Sequence, residues 1–217
     1  LGYMHQNVKI VGRNGGFTYS DLGATHHSLE DFAIIKMIPG VVVLCPQDPG
    51  EIRAASKAML EYEGPVYMRI GNPAMEELWP EQKFEIGKGS VLKNGSNLAI
   101  ITTGTATRNV LEAAEILEKK GYSVMVIGMP TIQPVDREII QMAAEKTGRI
   151  MTVEEHYIGG GLGSSVADVC AEYCPVKIKI HGVKKEYAVS GSYEKLLQYY
   201  ELDVDGIVKN AEEFLNG

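Results

Sequence analysis

The sequence predicts an α/β protein built from two doubly wound units, each with a mainly parallel sheet. Two observations point there. Short apolar runs alternate with segments of helical period on both sides of a central stretch that has neither pattern. The chain, at 217 residues and 45% hydrophobic, is long enough to bury two modest cores. Strand and helix in strict alternation, joined by right-handed crossovers, make neighbouring strands parallel.

The first unit reads as a strand over 8–12, a helix over 28–38, a buried strand over 41–45, a helix over 49–62 and a strand over 66–70. Ser28 with Asp31 resembles a capping box, and Glu30 and Asp31 add negative charge where a helix dipole favours it. Pro49 suits a first helical turn, where its missing N–H costs nothing. Over 71–88 the period is lost: Pro73, Trp79 and Pro80 interrupt it among clustered acidic side chains. The expected organisation is therefore a unit over 1–78, a linker over 79–87 and a unit over 88–217. The second unit alternates strands over 98–102, 123–128, 149–153 and 176–180 with helices over 105–120, 136–146 and 163–173. Helices over 193–200 and 204–215 follow.

A formal charge of −7 argues against a nucleic-acid surface, and the pairs Lys119–Lys120 and Lys184–Lys185 read as solvated faces. No apolar run approaches the ~18 residues of a membrane span, and the first residues lack a basic stretch followed by an apolar one. Cys45, Cys170 and Cys174 lack zinc or redox spacing, and a sparse, odd count suits a reducing compartment. These features lead to an expectation of a cytoplasmic protein. Because the chain opens at Leu1 with a strand close behind, it reads as one entered in mid-domain.

The candidate site is Thr25, His26 and His27, between the first strand and the first helix. A loop at the carboxyl end of a strand is where open α/β sheets gather ligands. Capping explains Ser28, Glu30 and Asp31, but it needs no histidine. An imidazole with an ordinary pKa near ~6.5 suits proton transfer at neutral pH.

Other signals favour structural roles. Gly159 to Gly163, followed by Ser164 and Ser165, could offer a helix amino terminus to an anion, yet the spacing matches neither a dinucleotide fingerprint nor a Walker loop. A tight strand-to-helix turn explains the same glycines, and Thr103, Gly104 and Thr105 are read in the same way. His156, after Glu154 and Glu155, has no second ligand at metal spacing and is expected in surface or interdomain packing. His5 and His181 carry no signal.

The stretches GATHHSLED, IPGVVVLCPQD and EEHYIGGGLGSSVAD resemble the transketolase family, and especially the carboxy-terminal half of split, two-subunit transketolases. The likeness covers essentially the whole chain. It implies a partial pyrimidine-binding domain followed by a transketolase C-terminal domain. It implies thiamine diphosphate and magnesium in the assembled enzyme, with diphosphate and metal held by a partner chain, the N-terminal pyrophosphate-domain subunit. A homodimer and a sugar-like substrate are also implied, and the reaction would transfer a two-carbon ketol unit from a ketose to an aldose.

The family's Gly-x-Thr-His corresponds to Gly23, Ala24, Thr25 and His26, so the resemblance makes His26 the catalytic imidazole. Thr25, His27, Asp21, Asn14 and Arg69 become substrate contacts, while no cofactor-binding residue and no metal ligand is assigned. Three departures bear on the substrate. Asn14 stands twelve residues before His26, where transketolases have a phosphate-contacting His. Leu22 stands four before it, where they have a sugar-reading Asp; a one-residue shift of the ungapped alignment restores Asp21. Asn72 follows Arg69, Ile70 and Gly71 where an Arg is common. Losing a bidentate phosphate partner weakens sugar-phosphate binding. Two alternatives therefore stay open: a thiamine-dependent carboligase or 2-oxoacid dehydrogenase beta-type subunit acting on an unphosphorylated substrate, and a non-catalytic assembly module.

Overall fold

The computed structural model describes residues 1–71, 73, 75–78 and 84–217. Asn72, Trp79 and Pro80, on which two of the expectations rest, lie outside the described residues. In the first sheet β1 (Lys9–Arg13) pairs with β3 (Val66–Ile70), and β3 with β2 (Val42–Leu44), all parallel as expected. Between them run α1 (Asp31–Ile35) and α2 (Pro49–Glu61). Asp48 caps α2, its carboxylate accepting the Glu51 N–H at 2.6 Å, and Pro49 occupies the first turn.

The second sheet has the order β4-β6-β5-β8-β9. Its strands are β4 (Ser90–Lys93), β5 (Leu98–Thr102), β6 (Val124–Gly128), β8 (Arg149–Tyr157) and β9 (Lys177–Val183). Every residue of β5 and β6 is buried, as strands covered on both faces must be. Helices α3 (Ala106–Lys119), α4 (Arg137–Thr147), α5 (Leu162–Tyr173), α6 (Tyr193–Tyr199) and α7 (Val204–Asn216) complete the unit.

Two strands depart from the expectation of parallel sheets, and neither was expected from the sequence. β4 runs antiparallel to β6. β7 (Thr131–Gln133) leaves the second unit altogether and pairs antiparallel with β2, so the first sheet has the order β1-β3-β2-β7. Each is only three or four residues long, too short for an alternation of polar and apolar positions to show. Prolines at 130 and 134 bracket β7, which an edge strand tolerates and a central one would not.

The first helix is also shorter than expected, and Ser28 does not cap it. Its backbone N–H and C=O are both engaged by Gly16, at 3.0 and 2.9 Å, while Asp31 turns its carboxylate to Tyr67 and Arg69. β8 runs on to Tyr157 instead of stopping at 153. Glu154, Glu155 and His156 on this extension are all buried, His156 in the interdomain packing that was one of the two places expected for it.

The units share one core. Phe32, Val43 and Tyr67 from the first pack in the same apolar cluster as Ile101, Ile127 and Leu162 from the second. Removing each large side chain from water stabilises the fold by about 1.5–3 kcal/mol, so the two halves are fixed against each other.

Candidate active site

Where β1 ends, the backbone turns sharply. Asn14 adopts φ +64°, an arrangement that Asn tolerates better than most side chains, and Gly15 N–H donates to the Ile70 carbonyl at 3.1 Å. Gly16 follows at φ +67°, and a Cβ there would stand 2.2 Å from Glu155 Oε2. Only glycine lets the backbone pass so close to that carboxylate. Phe17 is then fully buried, edge-on to His27 (centroids 5.3 Å, 88°) and stacked on Tyr200 (4.9 Å, 15°).

A 3₁₀ segment over Ser20–Thr25 carries Asp21 on its exposed side. Gly23 breaks it with φ +72°, and the His26 and His27 N–H groups both donate to the Gly23 carbonyl, at 2.9 and 3.2 Å. The result is a compact corner. Thr25 and His26 face solvent with Thr25 Oγ1 3.0 Å from His26 Nδ1, and the Tyr19 ring lies 5.7 Å from the imidazole. His27 points inward; its Nε2 donates to the Ser20 carbonyl at 3.3 Å, and its Nδ1 has no partner. The Asn14 Oδ1 is likewise buried without a hydrogen bond. Unpaired buried polar atoms are uncommon in folded proteins; among the described residues two lie in this loop and its root, and two others, Thr102 Oγ1 and Thr152 Oγ1, lie in the second sheet.

Arg69 lies deeper. Its guanidinium donates to Asp31 Oδ1 at 3.1 Å and to the Glu155 carbonyl at 2.6 Å, and sits 4.5 Å from the centre of the Phe32 ring. Tyr67 donates to the other Asp31 oxygen at 2.8 Å. The Glu155 side chain receives the Phe17 N–H at 3.0 Å, the Thr105 hydroxyl at 2.6 Å and the Tyr193 hydroxyl. Burial, followed by the charge of Glu155, holds the Tyr193 phenol well above its ordinary pKa, so it remains a donor.

The glycine turn takes up an anion from its own chain. Glu154 accepts the Leu162 and Gly163 N–H groups, each at 2.7 Å, at the amino terminus of α5. Burial still pushes this carboxyl up to about 7 against those two bonds. A Cβ at Gly161 would stand 2.1 Å from Glu154 Oε2, which makes the turn a structural joint. Thr103 donates to the Cys45 carbonyl at 3.0 Å, so the second glycine turn also joins the units.

His156 is fully buried, in interdomain packing and away from the surface. It stacks on Phe32, donates from Nδ1 to the Tyr157 carbonyl at 2.7 Å and receives the Ala33 N–H on Nε2 at 3.4 Å. Those partners fit the neutral ring, and burial, reinforced by Arg69, lowers its pKa to about 4.

The structure thus gathers Asp21, Thr25 and His26 on one exposed corner, with His27 beneath it. Asn14 lies at its root, and Arg69 sits in the interface behind. Phe17 and Tyr193 were not picked out from the sequence, Glu155 entered only as part of the acidic pair before His156, and Thr105 only as part of a glycine turn. Among the described residues no group of three or more His, Cys, Asp or Glu is arranged to hold a metal ion, and no helix is long and apolar enough to cross a membrane.

The chain is thus an α/β module of two units packed on one core, with a histidine and a hydroxyl exposed past the carboxyl end of a parallel strand, the place where open α/β sheets gather ligands. Comparison with known proteins gives its family. The family model for the transketolase pyrimidine binding domain matches residues 1–76, and that for the transketolase C-terminal domain matches residues 87–207. The chain belongs to the transketolase family, as the C-terminal portion of a transketolase-type transferase. It is 41% identical to one of the subunits of apulose-4-phosphate transketolase from Phocaeicola vulgatus, over 99% of this chain and 69% of that protein. It is 36% identical to the SqwH subunit of 6-deoxy-6-sulfo-D-fructose transketolase from a Clostridium species, over 98% of this chain and 66% of that protein. Its similarity to 1-deoxy-D-xylulose-5-phosphate synthase of Heliobacterium modesticaldum is 34%, over 92% of this chain and 31% of the other. A solved structure of a split gene transketolase, an inactive beta4 tetramer, superposes with a TM-score of 0.92 at 36% identity, over 99% of this chain and 69% of that one. Family membership implies dependence on thiamine diphosphate.

Proposed function

We propose that the chain transfers a two-carbon ketol unit from a ketose to an aldose, acting with an N-terminal subunit that holds the diphosphate and magnesium of thiamine diphosphate. The cofactor supplies the electron sink that lets the bond beside a ketose carbonyl break. The observation that carries the reading is the His26 imidazole, exposed beside Thr25 Oγ1 at 3.0 Å. With Nδ1–H given to Thr25, Nε2 is an acceptor open to the substrate. It takes the proton of the donor's hydroxyl as the bond breaks and returns one to the oxygen of the acceptor aldehyde. Asp21, on the same corner, is proposed to read sugar hydroxyls, and His27 to hold the corner from below. Two carbohydrate-named relatives, the apulose-4-phosphate and 6-deoxy-6-sulfo-D-fructose transketolases, support a sugar substrate.

We keep the division into units over 1–78 and 88–217, a homodimer and a cytoplasmic location as part of the proposal. Exposed Ile10 and Val11 on the edge strand β1 support a covering partner, and three free cysteines suit a reducing compartment. A second reading draws on one observation. Arg69 has its donors on Asp31 and the Glu155 carbonyl, and Asn14 is uncharged, which favours an unphosphorylated substrate for a carboligase or 2-oxoacid-type subunit. In that reading Arg69 orders the interface instead of contacting substrate.

The test is steady-state kinetics of the chain reconstituted with its N-terminal partner, using phosphorylated and unphosphorylated ketoses. His26→Ala is expected to lower turnover roughly 100-fold or more. Wild-type turnover in that variant on the best substrate would overturn the reading.

A further inference from the structure

Asp21, Thr25 and His26 on the exposed corner all come from the first unit, and the root of that corner is tied to the second unit by the Glu155 carboxylate. Glu155 is 4% exposed and accepts three hydrogen bonds. One comes from the backbone of the first unit, the Phe17 N–H at 3.0 Å; two come from its own unit, Thr105 at 2.6 Å and Tyr193. Its backbone carbonyl receives Arg69, also from the first unit, at 2.6 Å.

From Phe17 the contacts lead directly to the histidines. Gly16 is bridged to Ser28 by a reciprocal pair of backbone bonds, which places the 14–17 strand end beside the 25–28 segment. The Phe17 ring is perpendicular to His27 on one side and stacks on Tyr200, just after α6, on another. The connection before α6 meets the 3₁₀ segment as well: Gly191 N–H donates to the Ser20 carbonyl at 3.4 Å, and a Cβ on Gly23 would stand 2.4 Å from Ser190 Oγ. The corner is therefore braced at Phe17, Ser20 and Gly23 by groups that the second unit supplies, and His27 rests on Phe17 in turn. Two or three hydrogen bonds to a buried carboxylate are among the stronger fixed contacts a protein makes.

We propose that Glu155 is a positioning residue: it fixes the Gly16–Phe17 backbone and, through Phe17 and His27, sets where the His26 imidazole stands. This rests on the reading of His26 as the reacting imidazole. It assigns the C-terminal unit a part in the chemistry that requires no contact with substrate. Reactive groups tolerate little misplacement, so loosening this brace is expected to lower kcat more than it raises KM.

Two measurements test it. Hydrogen exchange on this chain compares wild type with Glu155→Ala, Glu155→Gln and Tyr193→Phe. Exchange at residues 16–28 is expected to rise about tenfold or more in Glu155→Ala while β5 and β6 keep their protection. Gln, which can still accept the Phe17 N–H, is expected to restore most of that protection. Kinetics of the reconstituted enzyme are expected to follow the same order, with the loss in kcat. Unchanged exchange at 16–28 in Glu155→Ala would overturn the proposal, as would a rise spread evenly over both units. If Glu155→Ala does not fold, Tyr193→Phe decides: the proposal requires faster exchange at 16–28 there, and wild-type exchange overturns it. Faster exchange together with full turnover in His26→Ala would sustain the brace and refute only the catalytic reading of His26.

Discussion

His156 lies face to face with Phe32, ring centroids 5.1 Å apart and planes 11° from parallel, one ring from each half of the chain. Such a buried imidazole is stable only when neutral, and its neighbours agree: Nδ1 donates to a carbonyl and Nε2 accepts an amide. The interface between the units is therefore sensitive to acid through a histidine other than the exposed one.

The first prediction follows from that sensitivity. Burial, then Arg69, lowers the His156 pKa to about 4, whereas an unfolded histidine titrates near ~6.5. Between those values the unfolded chain binds a proton that the folded chain refuses, so this contribution to stability is present above pH ~6.5 and lost as pH falls toward 4. Urea titrations from pH 7.5 to 4.5 are expected to show a shallower acid decline for His156→Phe than for wild type. Identical slopes would contradict the assignment.

Glu51 is expected to act with the opposite sign. Burial raises its carboxyl to about 7 even though the Gln47 backbone and side chain both donate to it. Its folded form holds a proton that the unfolded chain releases above about 4.5, so the contribution is largest at low pH and disappears as pH rises through 7. Over pH 5 to 8, Glu51→Gln is expected to lose less stability than wild type, by the same urea titration. A steeper loss in the variant would rule this out.

The buried pair Arg69–Asp31 gives a third prediction. Both side chains are nearly covered, at 6% and 12% exposure, so removing either one strands the other charge in a poorly hydrated place. Arg69→Leu is expected to cost about 3–5 kcal/mol in chemical denaturation, and the double variant with Asp31→Leu less than the sum of the two singles. Additive losses would mean that the pair does not act as a unit.

Much of this fold was legible because buried parallel strands announce themselves as apolar runs. The bounds of β3 and β5 match the sequence reading residue for residue. What escaped the reading depends on contacts between distant residues. Ser28 is a good cap in isolation but is drawn into a bridge with Gly16; Glu154, given no role by its local sequence, receives the N–H groups of α5. The histidine corner was visible because its residue types are rare in capping. Its brace was not, because a glutamate that bonds a backbone N–H 138 residues away leaves no local pattern.

The excursion of β7 into the first sheet also bears on how such enzymes could exchange parts. A recombination joint placed between Ile70 and Ser90 would look natural on the sequence, since strands end on one side of it and begin on the other. It would nevertheless replace one edge strand of the sheet upstream, because Thr131–Gln133 would come from the new donor. A functional chimera has to inherit 131–133 from the same parent as β2, or the hybrid starts life with a mismatched seam along Val43 and Leu44.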